Sequence, residues 1–176
     1  MKILFKLSIW LFSLLIATAC YSETISLTAP FPTTLTIDSA TWSLDFKQQN
    51  EDNKIGEYVT NHETVDNWTQ LITLQYFNMN FSDEVTPKFF ADSEIEQFKT
   101  HGYELDYSVI SASPEEAIIE FKVKKPIADQ QDELQRILKT KNQGVFIIHY
   151  VIKKPDMGES ERTKWIGFLK SITLQQ

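Results

Sequence analysis

The sequence predicts an α+β fold, in which a mostly antiparallel sheet carries about three packed helices. Short stretches of alternating apolar and polar residues, separated by turn-forming residues, are typical of antiparallel strands. Three longer stretches instead repeat their apolar residues at helical spacing. The chain has 176 residues, of which 42% are hydrophobic and 23% charged, so it is long enough for one domain with a substantial core.

The first predicted strands form a hairpin over residues 41–60. Trp42, Leu44 and Phe46 alternate with polar residues and therefore share one face of the first strand. The polar stretch QQNEDNK is a turn, and IGEYVT is the returning strand.

The next segment, residues 61–77, predicts one short helical turn up to about Trp68, followed by a strand. Asn61 or Thr64 can cap the turn. The apolar residues after it fit a helix as well as a strand, but their β-branched and aromatic character favours the strand.

His62, Glu63 and Trp68 are the candidate binding residues at this joint between two strands. Exposed aromatic residues mark binding surfaces, and a histidine beside a carboxylate can exchange protons or hold a ligand. A solvated turn explains His62 and Glu63 better, since turn composition alone accounts for them, and core packing is the better explanation of Trp68. The joint is therefore predicted as strand, capped turn and strand, with Trp68 as its anchor.

The helix predicted over residues 86–102 has Thr86 at its N-cap and Gly102 beyond its end. Strands over residues 103–111 and 117–125 follow as an antiparallel hairpin, because apolar and polar residues alternate in both.

A second helix is predicted over residues 129–144 and a third over residues 159–172, each from apolar residues at helical spacing. Between them, VFIIHYVIKK is apolar on both faces, which predicts a strand at the centre of the sheet. We expect one domain over residues 33–176, preceded by an extended lead-in over residues 20–32.

The N-terminus predicts an export signal over residues 1–19. Lys2 and Lys6 flank an apolar run that ends in small residues, as in a secretory signal peptide. The run is shorter than the ~20 apolar residues that cross a bilayer. We therefore expect the protein in the periplasm or cell envelope, or secreted.

Two forms of the exported protein stay open. Cleavage after Ala19 gives a soluble chain that starts at Cys20. Alternatively, ATAC resembles a bacterial lipobox, in which Cys20 would carry a lipid and tether the protein to a membrane. That pattern prefers leucine where this chain has Ala17. Cys20 is the only cysteine, so no intramolecular disulfide can form.

Charge and motifs exclude several classes of function. The formal charge is −7, and without residues 1–19, which hold two lysines and no acidic residue, it becomes −9. Nucleic acid is therefore not an expected partner. The sequence has no Gly-rich phosphate loop, nucleophile elbow or zinc motif, so we expect no cofactor, metal site or recognisable catalytic set.

Two further histidines have structural explanations. His101 lies in the last turn of a predicted helix, where a cation is favoured. His149 lies on the face of the central strand that also carries Ile147 and Val151, where hydrogen-bonded packing is the usual role. A hydrolase with an unusual site built on His62, His149 and nearby acids is the enzymatic alternative.

The element order, with WSLDF and GEYVT in the first hairpin, resembles the PsbP-like α/β/α sandwich, which includes DcrB-type and LpqN-type envelope lipoproteins. The resemblance covers most of residues 33–172 and implies a binding or assembly module without a catalytic motif. The sequence thus predicts an exported bacterial envelope protein that binds an unknown protein or small molecule. A secreted effector that acts on a host is a further alternative.

Overall fold

The structure, a computed structural model, describes residues 24–26, 30–60, 62–78, 85–140 and 144–175. Its strands are β1 (Thr24–Ser26), β2 (Thr34–Ile37), β3 (Ala40–Gln49), β4 (Asn53–Val59), β5 (Gln70–Phe77), β6 (Glu104–Ala112), β7 (Glu116–Lys125), β8 (Gln131–Lys139), β9 (Val145–Ile152) and β10 (Thr173–Gln175). Its α-helices are α1 (Pro87–Thr100) and α2 (Glu159–Ser171), and a 3-10 turn covers Ile127–Asp129.

Eight of these strands form one antiparallel sheet in the order β2-β3-β4-β5-β9-β8-β7-β6. Strands β1 and β10 pair separately and in parallel. The predicted α+β class with an antiparallel sheet is confirmed, whereas the number of α-helices in the described residues is two rather than about three. The central position predicted for residues 145–154 is also confirmed, since β9 lies between β5 and β8 and is buried throughout.

The helix predicted over residues 129–144 is wrong, because most of this segment is β8, which pairs with β7 and β9. Leu134 packs in the core on one face of the sheet and Ile137 in the core on the other. A central strand can bury apolar side chains on both faces, and such a pattern fits helical spacing by coincidence. Gly144 does not end a helix: a Cβ there would lie 2.7 Å from the Phe77 carbonyl oxygen, so glycine permits close strand packing.

The helical turn predicted up to Trp68 is also wrong. Thr64 and Asn67 exchange backbone hydrogen bonds of 3.4 and 2.9 Å across a two-residue turn. This tight β-turn leads directly into β5. Asn61, the other predicted cap, lies outside the described residues.

Both remaining helices agree with their predictions. The Thr86 side chain accepts a hydrogen bond of 3.1 Å from the Phe89 amide and so caps α1. Gly102 follows α1 with a φ of +87°, a left-handed conformation that glycine adopts without strain. No helix in the described residues is long and apolar enough to cross a membrane.

The helices pack on opposite faces of the large sheet. On the face we call the α2 face, Trp165 and Leu169 of α2 pack against even-numbered residues of β9 such as Ile148 and Tyr150. Ile25 of β1 is 1% exposed and belongs to the same core, so the strand nearest the N-terminus in the described residues contributes to packing.

On the opposite face, which we call the α1 face, Ala91 and Ile95 of α1 pack against odd-numbered residues of β7, β8 and β9. Helix α1 covers mainly β6, β7 and β8. The shared face predicted for Trp42, Leu44 and Phe46 is wrong for Phe46, because a β-bulge between Leu44 and Phe46 turns Phe46 to the α1 face. The α1 faces of β3 and β4 are more open, and Phe46 there is 40% exposed. A groove therefore runs along the side of α1 that borders β5.

Candidate binding groove and the polar chain beside it

The groove between α1 and β5 has a volume of about 280 Å³. Its principal lining residues are Gln75, Phe77, Phe89, Phe90, Glu94 and Ile147. Most of these side chains are apolar, and Glu94 supplies the one acidic group. Exposed aromatic surface of this kind is typical of binding sites, and Phe89, at the start of α1, is 57% exposed.

The groove follows from the register of its two elements. Phe77 ends β5 on the α1 face, opposite Val145 of β9. Phe90 and Glu94 lie one helical turn apart and therefore share the side of α1 that faces the groove. The Phe77 and Phe90 rings, whose centroids are 5.9 Å apart, form the apolar end of the groove. Glu94 lies one helical turn after Phe90.

Glu94 begins a chain of hydrogen bonds that continues across the sheet. Gln135 Nε2 donates to Glu94 Oε1 at 3.2 Å and to Glu133 Oε1 at 2.8 Å. His149 Nδ1 donates to the same Glu133 oxygen at 2.7 Å. We call Glu94, Gln135, Glu133 and His149 the polar chain. Its three strand residues are buried: Gln135 is 0%, Glu133 5% and His149 8% exposed.

Three atoms of the polar chain lack a hydrogen-bond partner within the described residues. They are Glu94 Oε2, Gln135 Oε1 and His149 Nε2. Leaving a buried polar atom unpaired costs about 1–3 kcal/mol, so most such atoms in folded proteins are paired. One of the three belongs to Glu94, the member of the chain that also lines the apolar groove, which indicates where a polar group of a ligand would bind.

Carboxyl groups outnumber cations in this region. Burial raises the pKa of Glu94. Burial alone would lower the pKa of His149, but the hydrogen bond that its Nδ1 donates to Glu133 and the charges of Glu133, Glu94 and Glu57 outweigh it, and the pKa is raised. Burial likewise raises the pKa of Glu57, which lies on β4 towards the open side. The imidazole is therefore surrounded by three carboxyl groups and stabilised as a cation.

The predicted binding residues line two different clefts: His62 and Glu63 share one, and Trp68 lines another. His62 is exposed, has a φ of +61°, and lines a cleft of about 440 Å³ with Glu63 and Asp45. The Glu63 carboxylate accepts hydrogen bonds from the Thr69 amide at 3.0 Å and its hydroxyl at 2.7 Å, which lowers its pKa. These hydrogen bonds hold the two ends of the loop before β5 together.

Trp68 lies near a different cleft, with Phe98 and Tyr103. Its half-buried ring packs on a small cluster of Val59, Leu71 and Val151. Lys153 Nζ lies 4.3 Å from the ring centroid in a cation–π contact. Trp68 therefore anchors the joint without sharing the cleft of His62 and Glu63.

Of the other residues named in the sequence analysis, His101 is described by the structure and Cys20 is not. His101 Nδ1 lies 2.8 Å from the Gln97 carbonyl oxygen at the end of α1, as expected for a capping role. Cys20, the possible lipid attachment residue, lies outside the described residues. Among the described residues, no group of three or more histidine, cysteine or acidic side chains has a metal-binding arrangement.

A second charged cluster lies on the α2 face, at the start of α2. Asp132 is 0% exposed and accepts a hydrogen bond of 2.8 Å from the Met157 amide. Arg162 donates to Glu120 at 2.8 Å and to Asp156 at 3.0 Å, and Lys122 also pairs with Asp156. The cluster connects β7 and β8 to the N-terminus of α2, which is a structural role.

Sequence reasoning missed most of the polar chain. The helix predicted over residues 129–144 puts Glu133 and Gln135 on its solvated side. Glu94 falls among apolar residues on the buried side of a predicted helix, and an acid in that position is the signal that could have identified it. His149 was placed on the correct face, together with Ile147 and Val151.

Comparison with known proteins gives a family relationship. Residues 29–176 match the model of a protein family, and the chain therefore belongs to that family. A search of curated proteins gave no significant match. The match covers every element from β2 to β10 and assigns no activity.

Proposed function

We propose that the protein is an exported binding or accessory module of the bacterial cell envelope, which binds its ligand in the groove between α1 and β5. The observation that carries the proposal is Glu94, which lines the apolar groove, begins the buried polar chain and has an oxygen, Oε2, without a hydrogen-bond partner in the described residues. The signal-peptide pattern of residues 1–19 supports export. The acyl-anchored form through Cys20 and the soluble form are both compatible with this role.

The proposal includes a relationship to the PsbP-like sandwich. One α-helix packed on each face of the large sheet is the layering of an α/β/α sandwich, which supports it. Binding and assembly modules of the envelope occur in that group.

The second candidate function is hydrolysis, favoured by the His149–Glu133 pair, which resembles a base and its orienting carboxylate. A nucleophile would have to contact the second imidazole nitrogen. His149 Nε2 has no hydrogen-bond partner in the described residues, so no serine, threonine or cysteine there is positioned as one. His62, the other histidine of that hypothesis, is exposed on its turn. The geometry therefore favours binding.

The binding proposal can be tested by NMR spectroscopy on isotope-labelled protein. A small-molecule extract of the envelope of native cells is added, and amide shifts are followed. We expect shifts at Phe89, Glu94 and Ile147 that disappear in Phe89→Ala, a variant that removes an exposed ring and keeps the fold. Shifts confined to other regions, or none at all, would overturn the groove as the binding site.

Export and anchoring are tested by the intact mass of the protein purified from native cells. A mass for residues 20–176 with acyl chains supports a lipid-anchored form, and an unmodified mass starting at or after Cys20 supports a soluble one. A mass that retains residues 1–19 would overturn export by cleavage.

A further inference from the structure

We propose that the ligand of the groove is an organic ammonium ion, whose charged group binds Glu94 and whose apolar body lies against the phenylalanine rings. This inference rests on the proposed binding function and names the chemical class of the ligand. It follows from three properties of the site: its charge, its unpaired acceptor and its aromatic lining.

The first property is an excess of negative charge. Glu57, Glu94 and Glu133 all interact electrostatically with His149, so three carboxyl groups share one imidazole. Even with His149 protonated, the group keeps a formal charge of −2 when all three acids are ionised. An anionic ligand would add to that repulsion, whereas a cation reduces it. The overall charge of −7 also favours the approach of cations.

The second property is the kind of unpaired atom. Glu94 is the one acidic residue that lines the groove, and the Gln135 amide holds its Oε1. Its other oxygen, Oε2, is an acceptor without a hydrogen-bond partner in the described residues. An ammonium group offers donors only, which is what an unpaired acceptor requires. A hydrogen bond between an ammonium and a carboxylate is also charge-assisted and therefore among the stronger kinds.

The third property is the aromatic lining next to the acid. Phe77, Phe89 and Phe90 line the groove that Glu94 also lines. Aromatic faces attract cations and bury apolar carbon, so an ammonium ion with an apolar body satisfies both ends of the groove. A volume of about 280 Å³ suits a small molecule with one ring or a short alkyl chain. Organic cations fit this site better than metal ions, since metal-ligand geometry is not found among the described residues.

The test compares 3-phenylpropylamine, which is protonated at neutral pH, with the neutral alcohol 3-phenylpropan-1-ol. Calorimetry and NMR shifts are measured with the purified protein. We expect the amine to bind at least about tenfold more tightly than the alcohol, because only the amine forms a charge-assisted hydrogen bond. Shifts should centre on Glu94 and Phe89.

Glu94→Gln keeps the shape of the side chain and removes its charge, and it should weaken amine binding about tenfold without changing alcohol binding. The control is Glu96→Gln on the same helix. Glu96 is exposed and paired with Lys99 at 2.7 Å, so this variant should bind both probes as the wild type does. Unfolding of each variant is measured in parallel, so that a loss of binding is read only from folded protein.

The outcomes separate this inference from the proposed function. Equal binding of amine and alcohol would overturn the ammonium class and leave the groove as a binding site. Binding of neither probe would also overturn the class, and the extract experiment would then decide the binding function independently. Amine binding that is lost equally in Glu94→Gln and Glu96→Gln would show general attraction to an acidic surface, and would overturn the assignment to Glu94.

Discussion

His149 and Glu133 are joined by a hydrogen bond of 2.7 Å between Nδ1 and Oε1, although they lie on different strands and belong to different cross-strand pairs. His149 is paired with Gln135, and Glu133 with Val151, so the contact is diagonal across β8 and β9. Burial by itself favours the neutral imidazole, and this carboxylate is the main cause that raises the pKa of His149 instead.

The first prediction is that Glu133→Gln lowers the pKa of His149. The variant removes a negative charge and leaves burial, which favours the neutral imidazole. An NMR titration of the imidazole protons in wild type and variant measures the change. In the wild type, stability from the raised pKa is complete below about pH 6.5 and is lost as pH rises through that pKa. Glu96→Gln is the control, and an unchanged His149 titration in Glu133→Gln would contradict the prediction.

The second prediction concerns Asp132 on the α2 face. Burial, assisted by the neighbouring Glu120, raises the pKa of Asp132 to about 7 and outweighs the hydrogen bond from Met157. The folded state therefore binds more protons than the unfolded state between about pH 4 and that value. Because of this difference, the free energy of unfolding should fall as pH rises across the window and level off above it.

Asp132→Asn removes this contribution, so its unfolding free energy should depend less on pH between about 4 and 7. Urea unfolding at several pH values measures the slope. Asp106→Asn is the matched control, because Asp106 is exposed and its ion pair with Lys124 is on the surface. If Asp132→Asn shows the same slope as the wild type, the raised pKa of Asp132 is not responsible for it.

The sequence predicted α1 well, because the ends of this helix carry local signals. Thr86 and Gly102 mark the ends of α1 through a side-chain cap and a left-handed residue, both of which depend on neighbours in the chain. The central position of β9 could also be predicted, because an unbroken apolar run must be buried on both faces of the sheet.

Strand β8 could not be predicted from local signals or from an unbroken apolar run. Three of its polar residues are buried: Asp132, Glu133 and Gln135. Polar residues are usually exposed, so the sequence alone predicts them at the surface. Their partners are Met157, His149 and Glu94, from three distant segments. Only tertiary structure brings these partners together, so the segment looked amphipathic and helical. The same reason hid the polar chain, since three of its four members depend on the register of β8 and β9.

The third prediction concerns Arg136, which connects β8 to the end of α2. Its guanidinium donates to the Leu169 carbonyl at 2.5 Å and the Ile172 carbonyl at 2.8 Å, and pairs with Glu116 at 2.6 Å. Arg136→Met should lower the free energy of unfolding by about 2–4 kcal/mol, since it leaves a carboxylate and helix-terminal carbonyls unpaired.

Arg136→Lys keeps the charge but not the planar fork, so its loss should be intermediate. Lys170→Met is the control, because Lys170 is exposed in the last turn of the same helix. Denaturant unfolding measures all three variants. A loss below about 0.5 kcal/mol in Arg136→Met, the range of ordinary surface substitutions, would contradict the role assigned to Arg136.

The last prediction returns to Trp68. A fully buried tryptophan replaced by alanine costs about 3–5 kcal/mol, but this ring is only half-buried, so Trp68→Ala should lower stability by about 1–3 kcal/mol. Part of the loss is the contact with Lys153, which lies 4.3 Å above the ring. A double-mutant cycle of Trp68→Ala and Lys153→Gln should give a coupling of about 0.5–1 kcal/mol. Lys154→Gln, the exposed neighbouring substitution, should show none. An unchanged melting temperature in Trp68→Ala would mean that the ring contributes no packing and would assign it to the surface.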